Sequence, residues 1–291
     1  MKVWLNGELV DRDNAKLTVF DHGTLYGDGV FEGIRSYGGK VFQFPAHLGR
    51  LFQSAAQIRL DMPYSREQLR AATYAALEAN GAADGYIRMV VTRGVGTLGL
   101  DPRKCPHPNA FIIADDIALY PEELYQRGMP VIIAKTVRTS PASLDPKVKS
   151  LNYLNNIRAK IECLDAGVSE ALMLNEKGEL AEGTGDNVFL VADGTVVTPP
   201  PEAGILLGIT RNVVLHLCQR LGIPARAESI RPERLFAADE CFLTGTAAEV
   251  IAVNQVDGRA IGDGTVGPVT RKLLEAFRAL TRSGEELPYT P

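Results

Sequence analysis

The sequence predicts two domains of different build, a small α+β domain over residues 1–116 and a larger mixed α/β domain over residues 129–291. Three observations carry that expectation. At 291 residues the chain is long for one hydrophobic core. Its first half is rich in hairpin signals, whereas its second half alternates strand and helix patterns more freely. Between them, residues 117–128 form a charged, turn-like stretch around Pro121 that reads as a linker.

In the first domain, Lys2–Leu5 and Glu8–Val10 flank Asn6-Gly7, a two-residue hairpin signal. Ile34–Tyr37 and Val41–Phe44 flank Gly38-Gly39 in the same way. A helix is expected from about His47, because Leu48, Leu51, Phe52, Ala55 and Ile58 recur on one face. Ser65-Arg66-Glu67-Gln68 has the form of a capping box; the helix it opens runs to about Asn80 and stops at Gly81. Tyr86–Thr92 and Ala110–Ala114 read as strands. In the second domain, Val131–Lys135, Glu170–Asn175, Asn187–Ala192, Glu240–Leu243 and Val250–Val253 read as strands. Tyr153–Ala166, Thr210–Gly222 and Thr270–Leu280 read as helices.

Composition narrows the partners. A net charge of -4 gives no electrostatic reason to expect nucleic acid or an anionic membrane. No apolar run approaches the roughly 18 residues of a membrane helix. The N-terminus lacks the basic and apolar regions of a signal peptide, so a cytoplasmic protein is expected. Cys105, Cys163, Cys218 and Cys241 make no CxxC pair, which argues for reduced thiols. The histidines His22, His47, His107 and His216 form no ligand-spaced cluster, so no metal centre is expected.

Chemistry concentrates around one lysine. Lys149 stands in Lys149-Ser150-Leu151-Asn152-Tyr153, and its flanks Val148, Ser150 and Leu151 are apolar or small. Lys147 stands two residues earlier, so the two can be read as a solvated basic pair, but those flanks suggest burial of Lys149, and a desolvated amine is a usable nucleophile. Glu182 precedes Gly183-Thr184-Gly185 between two strand patterns, where a carboxylate can partner a protonated ring nitrogen. Asp186-Asn187 can brace that turn through short polar side chains. Gly208-Ile209-Thr210 opens a helix and Thr244-Gly245-Thr246-Ala247-Ala248 makes a second tight turn; both offer free amides and a hydroxyl to an anion. Arg50 on the first helix can add a charged contact. A lysine, an acid and two anion-binding turns together suit pyridoxal phosphate. Finally, Tyr86 and Arg88 share one face of a strand, a hydroxyl and a cation placed to meet an aromatic patch from Tyr26 and Phe31.

Taken together, these motifs resemble the class IV, or fold type IV, aminotransferases, and above all the branched-chain amino acid aminotransferases. The resemblance runs from about Trp4 to Ala279 and rests on the run from Tyr26 to Arg35, on His47-Leu48-Gly49-Arg50-Leu51, on Tyr86-Ile87-Arg88 and on the Lys149, Glu182, Gly208 and Thr244 segments. It implies a D-amino acid aminotransferase-like fold and pyridoxal 5'-phosphate as cofactor. It implies Lys149 as the Schiff-base and proton-shuttling lysine. Glu182 would meet the ring nitrogen and Tyr153 the ring 3-oxygen. Arg50, Ile209, Thr210 and Thr246 would hold the phosphate, and Leu206 would pack on the ring face. Tyr26, Phe31, Arg35, Tyr86, Arg88 and the Thr246-Ala247-Ala248 turn would receive substrate. The implied reaction is a ping-pong exchange of L-leucine, L-isoleucine or L-valine with 2-oxoglutarate. A homodimer or hexamer is implied too, because the family builds each site partly from a neighbour's loop. The Lys-Ser-Leu-Asn form is shared with D-amino acid aminotransferases. The alternatives on the same fold are therefore a D-amino acid or (R)-amine aminotransferase, or an aminodeoxychorismate lyase. Arg103 and His107 lie in the loop where D-specific members carry an Arg-x-His carboxylate trap, but they do not form that motif.

Overall fold

The computed structural model describes residues 1–116 and 120–289, so the first three residues of the expected linker lie outside the described residues. The chain divides into two compact units, Met1–Ile117 with Val148–Asn152, and Ala118–Lys147 with Tyr153–Pro291.

The first unit is an antiparallel sheet with helices packed on it. Its strands are β1 (Lys2–Leu5), β2 (Glu8–Asp11), β3 (Gly29–Tyr37), β4 (Lys40–Val41), β5 (Gly85–Thr92) and β6 (Asn109–Asp116), in the order β2-β1-β6-β5-β3-β4. Its helices are α1 (His22–Tyr26), α2 (Phe44–Gln57) and α3 (Arg66–Asn80). Asn6 and Gly7 both take positive φ, as the expected hairpin turn requires. Ser65 caps α3 through a reciprocal bond with Gln68, and Gly81 ends it in the left-handed conformation. Ile34, Leu51, Leu69, Ile87 and Ile112 form the core between the sheet and α2 and α3. The strand expected to reach Phe44 ends at Val41, and α2 starts at Phe44 rather than near His47. Pro45 accounts for that early start: in the first turn its missing N–H breaks no helical bond.

Val148–Asn152 packs with this unit, whereas its place in the chain assigns it to the second domain. Backbone bonds account for it. Phe31 N donates to Lys149 O at 3.0 Å, Leu151 N donates to Gly29 O at 2.9 Å, and Val30 bridges Ser150. The lysine segment is an extra half-strand laid along β3.

The second unit holds β7 (Met129–Ile133), β8 (Glu170–Leu174), β9 (Leu180–Gly183), β10 (Asn187–Ala192), β11 (Thr195–Thr198), β12 (Ala225–Ala227), β13 (Glu240–Gly245), β14 (Glu249–Val256) and β15 (Arg259–Ala260). They form one mixed sheet ordered β12-β11-β10-β13-β14-β7-β8-β9, with β15 beside β14. The helices are α4 (Glu122–Arg127), α5 (Leu154–Asp165), α6 (Ile209–Leu221), α7 (Pro232–Phe236) and α8 (Pro268–Ser283). Leu172, Val188, Leu243 and Ile251 anchor its core. Within the stretch that reads as a linker, α4 is an ordered helix belonging to this unit. Tyr125 Oη donates to Ala248 O at 3.0 Å, and Arg278 reaches Glu122 at 3.2 Å.

Candidate functional site

The site residues fall into two sets, one in each unit. In the first, β3 and β5 pair so that Gly33 lies opposite Arg88 and Arg35 opposite Tyr86. A Cβ on Gly33 would come within 2.1 Å of Tyr86 Oη, so glycine at this point lets the tyrosine lie across β3. Arg88 Nη2 donates to that hydroxyl at 3.0 Å, confirming that the two share a face. Arg88 also stacks on Phe31, 4.6 Å from the ring centroid, and Lys149 Nζ stands 4.6 Å from the same centroid. One buried ring thus carries an amine and a guanidinium together. Lys149 itself is half-buried, while Lys147 is exposed. The backbone N–H of Lys149 donates to Ser54 Oγ of α2 at 3.1 Å.

Other residues of this unit have contacts of their own. Tyr26 is exposed and donates its hydroxyl to Leu98 O, and its ring meets His22 edge-on. Arg35 stacks on Tyr37 at 4.8 Å. Arg103 forks onto Asp101 on the surface, and His107 is exposed.

Arg50 has a partner the sequence does not announce. Its Nε and Nη2 both donate to Glu32 at 2.8 Å, and His47 Nδ1 reaches Glu32 Oε2 at 2.8 Å. All three are buried. Burial raises the Glu32 carboxyl, but the Arg50 charge and the bonds from Arg50 and His47 outweigh it and hold it at about 2. Burial pushes the His47 imidazole below its ordinary value despite the opposing carboxylate.

In the second unit, Glu182 lies on β9, buried. Arg138 Nε donates to its Oε1 at 2.8 Å, while Leu206 N at 2.9 Å and Asn187 Nδ2 at 3.3 Å donate to Oε2. Arg138 is invisible in the sequence: it lies 44 residues from Glu182, in the irregular stretch after β7, and no local pattern links the two. Asn187 supplies the expected side-chain brace and reaches further, since its Nδ2 also donates to Leu206 O at 2.9 Å; Asp186 holds the turn through its backbone, accepting from Gly183 N at 2.6 Å.

Both glycine turns are fitted to these two side chains. A Cβ on Gly208 would fall 1.9 Å from Asn187 Oδ1, and one on Gly245 would fall 1.8 Å from Asp186 Oδ1. Gly208 stands at the N-cap of α6 and offers no side-chain cap, so the first-turn amides of Ile209, Thr210 and Arg211 lack intrahelical acceptors. Arg211 Nε in that turn and Thr244 Oγ1 beside Gly245 are buried without a hydrogen-bond partner among the described residues. Thr246, Ala247 and Ala248 form the β13–β14 turn, with Tyr125 fixing Ala248 O. Leu206 and Tyr153 are half-buried, Tyr153 at the start of α5. Uncapped helical amides, two glycine cradles and orphaned polar atoms suit a phosphate monoester, and a fixed carboxylate suits a cationic ring nitrogen. The residues fit the cofactor that the sequence suggests.

No described helix is long and apolar enough to cross a membrane. The model of the family described as amino-transferase class IV matches residues 29–256. A Methanocaldococcus jannaschii protein provisionally named a branched-chain amino acid aminotransferase is 49% identical over 278 residues, 96% of each chain. The crystal structure of the Escherichia coli branched-chain amino acid aminotransferase superposes with a TM-score of 0.94 at 34% identity, covering 98% of this chain and 96% of that one. The T.th. branched-chain amino acid aminotransferase complexed with N-(5'-phosphopyridoxyl)-L-glutamate has a TM-score of 0.92 at 34% identity, covering 98% and 95%.

Proposed function

The chain belongs to the class IV aminotransferases, and we propose that it exchanges the amino group of L-leucine, L-isoleucine or L-valine with 2-oxoglutarate. Transamination of branched-chain amino acids is the activity named for its relatives, and pyridoxal phosphate is the cofactor. That cofactor supplies an electron-withdrawing ring that lets a bound amino acid lose its α-proton. The protein's residues supply the rest. Lys149 carries the proton from the α-carbon, Glu182 holds the ring nitrogen, and Tyr153 holds the ring oxygen. Ile209, Thr210, Thr246 and Arg50 hold the phosphate, and Leu206 packs on the ring. The Thr246-Ala247-Ala248 turn takes the α-carboxylate through its amides.

The observation that carries the reading is the Phe31 ring with Lys149 Nζ and Arg88 on it. An aliphatic side chain finds the ring, whereas the distal carboxylate of glutamate finds the guanidinium and the Tyr86 hydroxyl. The L-glutamate adduct bound by the T.th. relative supports that second occupant. Arg103, forked onto Asp101, favours the L-specific reading over the D-specific one. Tyr26 and Arg35 border the same pocket in this reading.

We also place the protein in a homo-oligomer. On α5, Leu154, Ile157, Ile161 and Leu164 are all exposed at spacings of three, four and three, opposite the buried Asn156, Ala159 and Cys163. Such a stripe needs a second surface to cover it.

The test is a half-reaction. Enzyme loaded with pyridoxal phosphate is mixed separately with L-leucine, D-alanine and (R)-1-phenylethylamine, and loss of the cofactor's visible band is followed. Bleaching by L-leucine alone is expected. Bleaching by the D-amino acid or the amine overturns the reading, as would glutamate and 2-oxoglutarate turnover unchanged in Arg88→Ala.

A further inference from the structure

Glu32 meets the residues that the reaction uses directly through one of them, Arg50. Along β3, successive side chains alternate faces, so Phe31 turns to Lys149 and Arg88 while Glu32 turns to α2. There it is fully buried, and each of its oxygens accepts from the Arg50 guanidinium at 2.8 Å in a two-point fork. His47, one helical turn before Arg50, adds a third bond to Oε2 at 2.8 Å.

A buried ion pair is an inefficient way to fill the space between a sheet and a helix, because apolar residues of the same volume serve the fold as well or better. What the fork does provide is direction. Two parallel bonds fix the plane of the guanidinium and the axis along which its remaining edge points, and the His47 bond stops the carboxylate from rotating away. We infer that Glu32 is a positioning residue: with His47 it aims Arg50 at the cofactor phosphate, and it governs how strongly the protein distinguishes a phosphorylated cofactor from the same aldehyde without phosphate. This rests on Arg50 being a phosphate contact.

Apoprotein of the wild type, Glu32→Gln, Glu32→Asp and Arg50→Gln is titrated with pyridoxal phosphate and, in parallel, with pyridoxal. Binding is read from fluorescence quenching, and the phosphorus-31 resonance of the bound phosphate is recorded for each. Glu32→Gln is expected to weaken pyridoxal phosphate about tenfold or more while changing pyridoxal by less than about twofold, with Glu32→Asp between it and wild type and the phosphorus resonance displaced. Glu32→Asp keeps the charge pair, so it carries the test if Glu32→Gln does not fold. Parallel weakening of both ligands means a merely structural role and overturns the inference. So does an unchanged preference in the Glu32 variants beside a lost preference in Arg50→Gln. An unchanged preference in Arg50→Gln itself overturns the phosphate assignment of Arg50 on which the inference stands.

Discussion

Each unit of the molecule holds a buried site carboxylate paired with an arginine, Glu32 with Arg50 and Glu182 with Arg138, but the two pairs have opposite logic. Glu32 presents both oxygens to Arg50 and a third bond to His47, so the acid is the clamp and the arginine is what it holds. Glu182 accepts Arg138 on one oxygen and a backbone amide with an asparagine on the other, so here the acid is held and the arginine is part of the clamp. The first arrangement matches the phosphate contact proposed for Arg50, and the second the ring-nitrogen contact proposed for Glu182. Similar distances therefore say little about role until the remaining partners are counted.

The largest effect expected from breaking this comparison is at Arg138. Arg138→Leu strands Glu182 in a buried site, and loss of one partner of a buried pair costs about 3–5 kcal/mol. The double variant Arg138→Leu, Glu182→Leu removes the stranded charge and should recover much of that stability without recovering turnover. Denaturant melts and steady-state rates for the single and double variants check it. A double variant as active as wild type would remove Glu182 from the chemistry.

A second test separates the units by pH. The Glu32 carboxyl sits at about 2 against an ordinary value of 4.5, so its ionised form stabilises the native state above pH 4.5. That contribution, on the order of 3 kcal/mol, is lost as pH falls from 4.5 towards 2. His47 acts in the same direction from higher pH: its imidazole is held below 6.5, so acid favours the unfolded chain once the free imidazole protonates. Trp4, the single tryptophan, lies in the first unit against Tyr64 and reports on that unit. Its denaturant midpoint should fall steadily below pH 6.5, and Glu32→Gln should flatten the lower part of that slope. A midpoint independent of pH in the wild type would count against the ionised clamp.

Much of this organisation is legible in the sequence wherever the signal is local. Asn6-Gly7 announces its hairpin, Ser65 and Gln68 their capping box, and Gly81 the end of α3, because each is decided within four residues. The lysine, the acid and the two glycine turns are legible for the same reason. The short elements α1, β12 and β15 are not read from the sequence, being too short to show a period. Phe44 reads as strand because the apolar run hides the helix start just before Pro45. The clamps themselves are illegible. Glu32 and Arg50 are 18 residues apart and Arg138 and Glu182 are 44 apart, and only tertiary packing brings either pair together. Val148–Asn152 joins the first unit through backbone bonds to β3, which no side-chain pattern announces.

The smallest effect, and the most local, is at the glycine turns of the second unit. Gly208→Ala places a methyl group 1.9 Å from Asn187 Oδ1, so the asparagine must move, and its bonds to Leu206 O and Glu182 move with it. Overpacking of this kind costs about 1–3 kcal/mol. The steric origin predicts strong non-additivity: in Asn187→Ala the offending oxygen is gone, so adding Gly208→Ala should then cost little further stability. The clamp of the first unit differs, because its fork joins two side chains directly. A double-mutant cycle on thermal midpoints decides the point. Additive losses would mean that the methyl group is resisted by something other than Asn187, Arg211 Cβ at 3.3 Å being the next atom in its way. Coupling would mean that Gly208 is needed for the space it leaves to Asn187, and through Asn187 for the orientation of Glu182.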